Sequence, residues 1–194
     1  MDFKKHLETS WNLTLQFIVP LISMTLVMIF ASILTLGILA PVTTAGYMQA
    51  ILLMIREGRE PKVQDVFSRM ELFLPLLGFA VILLIAVIVG LTMLILPGIL
   101  IIFAVSFGCL YMIPLMTDKQ FGLIDAIRES ISISLQENVV EHAVVVILFM
   151  GIMWIGSFVI IGCLFTQPLA TVFLLSVYEE KVGRNLQDMP IKEK

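Results

Sequence analysis

Two histidines, His6 and His142, and two cysteines, Cys109 and Cys163, are the obvious candidates for chemistry in this 194-residue chain. His142 follows Glu137, Asn138 and Glu141, and the Glu137-x3-Glu141 spacing puts two carboxylates on one helical face. Zinc needs at least three converging protein ligands. The group therefore reads as a solvated helix start, its acids favoured by the helix dipole. Both cysteines sit inside apolar runs with no CxxC pattern, which predicts small buried hydrophobes and not a redox pair. Asp118-Lys119 and Asp125-x2-Arg128-Glu129 are the densest charged constellation. Asp125 and Arg128 lie one turn apart and are spaced to pair. There is no Ser nucleophile elbow, HExxH, Gly-rich phosphate loop or Walker pattern. These residues predict no catalytic centre, no cofactor and no metal.

The other polar candidates lie inside apolar stretches. Gln49 is the strongest, with Thr43, Thr44 and Ser106 nearby in type. Together these four are the candidate lining of a polar path. The competing reading is that Gln49 bonds a neighbouring helix as packing glue. Small residues four apart recur at Gly46/Ala50, Ala86/Gly90 and Ala104/Gly108, which lets helix backbones approach closely. No ionisable residue falls inside the predicted membrane core. That argues against proton coupling or ion pumping.

The elements that would hold these residues follow from composition. Hydrophobic residues make up 59% and charged residues 14%, with a mean hydropathy of +1.04. Soluble domains carry about 45–50% apolar and roughly 25% charged residues. A disordered chain, a disulfide-stapled module and an ordinary soluble enzyme are excluded. A net charge of −3 leaves no basic footprint for nucleic acid. The stretch from Phe17 to Leu39 is longer than a signal-peptide core of about 7–15 residues, so it reads as a retained first spanning helix.

No charge occurs between Asn12 and Ile55, between Leu72 and Thr117, or between Ala143 and Tyr178. Each stretch contains a break: Gly37 to Pro41, Leu96-Pro97-Gly98, and Thr166-Gln167-Pro168. Proline fits a first helical turn, so each break reads as one helix ending and another beginning. Pro41, Pro97, Gly98 and Pro168 are thus structural positions. The expected fold is all-α and polytopic, with six transmembrane helices as three helical hairpins. The returning helices at 41–55 and 168–178 are short for a span of about 20 residues.

All 12 basic and all 15 acidic residues then lie on one face. The positive-inside rule makes that face cytoplasmic, with both termini inside and the protein in the inner membrane. A polar segment with helical periodicity precedes each hairpin. Its apolar positions are Phe3, Leu7 and Trp11 in the first, and Val63, Val66, Phe67 and Met70 in the second. In the third they are Leu123, Ile124, Ile127 and Ile131. Each segment reads as an interfacial amphipathic helix. The chain is one membrane domain of three pseudo-repeats, about 1–60, 61–120 and 121–182, with a polar tail at 183–194.

Leu94-Ile95-Leu96-Pro97-Gly98-Ile99-Leu100, then Pro114, Asp118-Lys119, Gly122 and Asp125-Ala126-Ile127-Arg128-Glu129-Ser130, resembles the YciC-like uncharacterised bacterial inner-membrane proteins. It is similar as well to the membrane domain fused to some glycerophosphodiester phosphodiesterases. The match covers roughly residues 90–140. The resemblance implies a compact six-helix inner-membrane protein. It also implies that Pro97, Gly98, Asp118, Gly122, Ala126 and Arg128 are structural. It carries no phosphodiesterase activity across. The expected function is non-enzymatic: a membrane-organising or accessory protein that meets lipids, a further copy of itself or a partner membrane protein. The alternative is a small permease, channel or lipid-handling protein for a neutral or lipidic solute. An enzyme acting on lipid headgroups would need Asp118, Asp125 or His142.

Overall fold

The computed structural model describes residues 3–93, 95–136, 139–157 and 160–187. It is all-helical, with no strand among the described residues. The helices are α1 (Phe3–Gln16), α2 (Ile18–Leu34), α3 (Ala40–Glu57), α4 (Phe73–Met93), α5 (Ile95–Gly108), α6 (Met112–Asp118), α7 (Leu123–Gln136), α8 (Val139–Ser157) and α9 (Ile160–Gln187). Two 3-10 turns, Val63–Phe67 and Met70–Leu72, lead into α4.

The breaks follow local chemistry. Between α2 and α3 the chain turns through Leu36 and Gly37, both with positive φ (52° and 85°), and Pro41 occupies the first turn of α3. Gly suits that conformation because it has no Cβ. Pro97 lies in the first turn of α5, and the residue between α4 and α5, Leu94, is outside the described residues. Pro114 lacks an N–H and its ring crowds the carbonyl four residues back, which separates α6 from α5.

The third expected break is corrected. α9 runs through Pro168 without ending. One lost backbone bond costs less than opening both helix ends among apolar neighbours. The junction of α8 and α9 falls at residues 158–159, outside the described residues. Gly156 faces Thr166 so closely that a Cβ there would stand 2.8 Å from the threonine Cβ. α9 therefore begins well before Pro168 and packs along α8.

Among the described residues, three segments are long and apolar enough to cross a membrane: Val63–Thr92, Pro97–Asp118 and Val139–Gly156. α1 and α2 meet at 86° and would supply a fourth if they form one bent span. The chain is thus a helical protein compatible with membrane insertion. The most apolar helices are on the outside. Only 6% of the α4 window is buried, and Leu74, Ile82 and Leu84 are exposed. α3 and α9 carry more polar residues and lie at the centre, with Tyr47, Ile51 and Leu52 of α3 beside Phe173, Leu175 and Tyr178 of α9 in one core. A lipid-facing helix must be apolar all round, whereas a central one can carry polar groups that find partners.

The amphipathic segments depart from expectation in two ways. The second forms 3-10 turns, not a helix. Lys62 N–H donates to Asp65 Oδ2 at 3.0 Å and caps the first turn. Val66 docks fully buried on α3, while Val63, Phe67 and Met70 remain exposed. In α7 the buried residues are Ala126, Ser130, Ile133 and Ser134, while Ile124 and Ile131 point outward. The helix is rotated relative to its apolar stripe because its hydroxyls have work on the inside, described next.

Candidate functional site

The polar groups concentrate where the ends of α3, α6 and α9 meet. Arg56 is in the last turn of α3, Asp118 is the last residue of α6, and Tyr178 to Lys181 follow the apolar part of α9. Arg56 donates from Nε and Nη2 to Glu179 Oε1, at 2.8 and 2.6 Å. Its Nη2 donates to Asp118 Oδ2 at 2.9 Å and its Nη1 pairs with Asp118 Oδ1. Tyr178 donates to the same Oδ2 at 3.0 Å. One planar guanidinium thus joins two helices to its own, a geometry that suits Arg and not Lys. The Asp118 carboxylate, and to a lesser degree Glu179, hold the Arg56 pKa above its already high ordinary value.

A second link lies beside it. His6 Nε2 is 2.5 Å from Glu180 Oε2, and His6 Nδ1 is 3.0 Å from Ser176 Oγ, which ties α1 to α9. Arg69 donates to the Thr117 carbonyl at 2.8 Å, answering one of the unpaired acceptors at the end of α6. Arg59 pairs with Asp65 at 2.5 Å. Lys181, 1% exposed, holds its ammonium 5.6 Å from the Tyr111 ring centroid.

A third polar group closes the break between α5 and α6. Ser130 Oγ donates to the Gly108 carbonyl at 2.7 Å and accepts from Tyr111 N–H at 3.2 Å. Ser134 and His142 Nε2 both donate to the Phe107 carbonyl, at 3.2 and 2.8 Å. His142 is fully buried, with its ring edge-on to Phe107 at 4.4 Å. This corrects the solvated reading of His142; Glu137 and Asn138, its expected companions, lie outside the described residues. Carbonyls freed by a helix break among apolar neighbours need such donors.

The sequence-derived candidates separate into two groups. Asp118 stands at the centre of the charged junction. Asp125 and Arg128 are exposed and form no ion pair with each other. Gly122 accepts from Ala126 N–H at 2.9 Å and opens α7. Gly98 is buried where α5 meets Gly90 of α4. Of the four polar-path residues, Thr43 and Thr44 bond back onto carbonyls of their own helix at Leu39 and Ala40. Gln49 is half-buried, with its Oε1 unpartnered. Ser106 lines an apolar cavity between α5 and α8. Of the four, Ser106 is the one among the residues that line this cavity. Asp118 and His142 belong to different clusters, and no group of His, Cys, Asp and Glu among the described residues is placed to hold a metal.

Arg56, Glu179, Tyr178 and Glu180 were not singled out by the sequence. A signal was present: Arg56, Asp118 and Glu179 each stand just past the last apolar run of one pseudo-repeat, at a spacing close to the repeat length. Compared with known protein families, curated proteins and solved structures, the chain matches none of them.

Proposed function

We propose that this chain is a non-enzymatic integral protein of the inner membrane with an organising or accessory role. It crosses the bilayer six times as three hairpins, with both termini and every charged loop in the cytoplasm. The carrying observation is the division of the surface. Charged side chains tie the ends of α1, α3, α6 and α9 together, while α4, α5 and α8 turn Leu, Ile and Phe outward. A soluble protein does not leave such a continuous apolar surface open.

Packing supports the three-unit reading. The segment that opens the second unit, Val63–Phe67, packs on α3 of the first; α7, opening the third, packs on α6 of the second; and α1 packs on α9 of the third. Each opening segment thus seats on the closing helix of the unit before it, and α1 closes the ring. Kinship with YciC-like proteins belongs to this proposal and rests on residues 90–140. An accessory role is supported by the charged clusters, in which Arg56, Asp118, Glu179, His6 and Glu180 tie α1, α3, α6 and α9 to one another.

Trypsin tests the arrangement, because it cuts only after Lys and Arg. On right-side-out spheroplasts the chain should remain whole. On inverted vesicles it should be cut in the 56–69 and 119–128 regions. Cleavage in either region from the outer face would overturn the reading.

A further inference from the structure

A cavity of ≈ 640 Å³ lies between α3, α4, α5, α6, α8 and α9. Its floor is Met48, Met112, Val146 and Leu174, each 8% exposed or less. Its rim is Met150 and Trp154 of α8, 37% and 68% exposed. No charged side chain is among the described lining residues, and Ser106 carries their only hydroxyl. The volume falls in the range of about 300–1,000 Å³ typical of ligand sites.

We propose that this cavity takes up one acyl chain of a bilayer phospholipid, entering sideways past α8. The proposal rests on the membrane-spanning reading above. The lining excludes ions and sugars, because nothing in it replaces their water. An apolar cavity does not hold water either. The rim lies on a candidate span whose window is only 22% buried, so the molecule lying against the opening in a membrane is lipid. Trp154 stands near the end of α8, where an amphipathic ring sits at the boundary of headgroups and chains. Methionines on floor and rim are flexible enough to fit chains of different length and unsaturation.

The chain's only cysteines, Cys109 and Cys163, both line this cavity and serve as native reporters. Purified full-length protein, delipidated in mild detergent, is alkylated with N-ethylmaleimide with and without dioleoylphosphatidylglycerol, and native mass spectrometry counts retained lipid. One lipid should be retained per chain. Alkylation of both thiols should slow by about tenfold with lipid at ten times its Kd, because only empty cavities react. An introduced Gln120→Cys thiol, outside the cavity, should be unaffected. Ser106→Phe should abolish retention without changing the trypsin pattern; if that variant does not fold, the wild-type alkylation rates decide alone. Equal rates with and without lipid would overturn the proposal. So would a lipid-free dimer with the thiols covered, or retention of a different small molecule. The trypsin result is independent of all of these, so a dry cavity and a wrong topology give different outcomes.

Discussion

Arg56 is the residue on which the polar end depends. Its side chain is 33% exposed, Glu179 30% and Asp118 9%. Exposed ion pairs contribute about 0–1 kcal/mol and breaking buried ones costs about 3–5 kcal/mol. Asp118 is close to the buried limit and the other two are not. Arg56→Ala should therefore cost about 1–3 kcal/mol, between those limits. Arg56→Lys should recover only part, since one ammonium cannot serve both carboxylates in the same plane. Thermal unfolding in detergent, followed by size-exclusion fluorescence, measures both; an unchanged midpoint for Arg56→Ala would remove the junction from the account. Asp118 was visible in the sequence as part of a charged loop. Its partner was not, because Arg56 lies 62 positions from Asp118 and 123 from Glu179. His142 was misread for a related reason: acidic neighbours suggested water, but its partner is the Phe107 carbonyl, left open where Tyr111 N–H turns to Ser130 at the break between α5 and α6.

The helices themselves were largely legible, since apolar length and proline position govern them locally. The break before α3 falls where Pro41 puts it, and the junction of α4 and α5, at Leu94, lies outside the described residues. Pro168 does not break its helix, because packing of α9 along α8 and α1 outweighs one missing bond. Pro168→Ala should consequently leave the fold intact and stabilise it modestly, as restoring a helix-interior residue does; circular dichroism and the melting midpoint will show this, and a loss of helix would contradict it. Gly46 is the opposite case. A Cβ there would stand 2.6 Å from the Val66 carbonyl carbon and closer still to its oxygen. Backbone cannot move aside as a side chain can, so Gly46→Val should push the Val63–Phe67 turn off α3. The expected cost is about 1–3 kcal/mol, the range for overpacking, with faster trypsin cleavage around Lys62 than in the wild type. Cleavage and midpoint identical to wild type would refute that packing. The small-residue pattern signalled a close approach at Gly46; it could not reveal that a 3-10 turn, and not another helix, would fill the space. The rotation of α7 was hidden too, since a lipid-facing stripe and a core-facing stripe look alike in sequence.

At the scale of the molecule, composition alone identified a helical membrane-compatible chain, and the outward-facing surfaces of α4, α5 and α8 agree with it. The sequence counted six spans by apolar run. Among the described residues three segments meet the length and composition of a span by themselves, and α1 with α2, bent by 86°, would make a fourth as one broken span. The central claim is that α2, α3, α4, α5 with α6, α8 and α9 all cross and that every charge returns to one side. It is tested most directly by single cysteines in a background lacking Cys109 and Cys163, labelled with a membrane-impermeant maleimide in intact cells and in inverted vesicles. Leu36, 92% exposed in the turn between α2 and α3, should label as Leu36→Cys only from outside. Glu60→Cys and Gln120→Cys should label only from inside. Labelling of Leu36→Cys from the same side as Glu60→Cys would mean that the first hairpin dips into the membrane without crossing it, and would contradict the account.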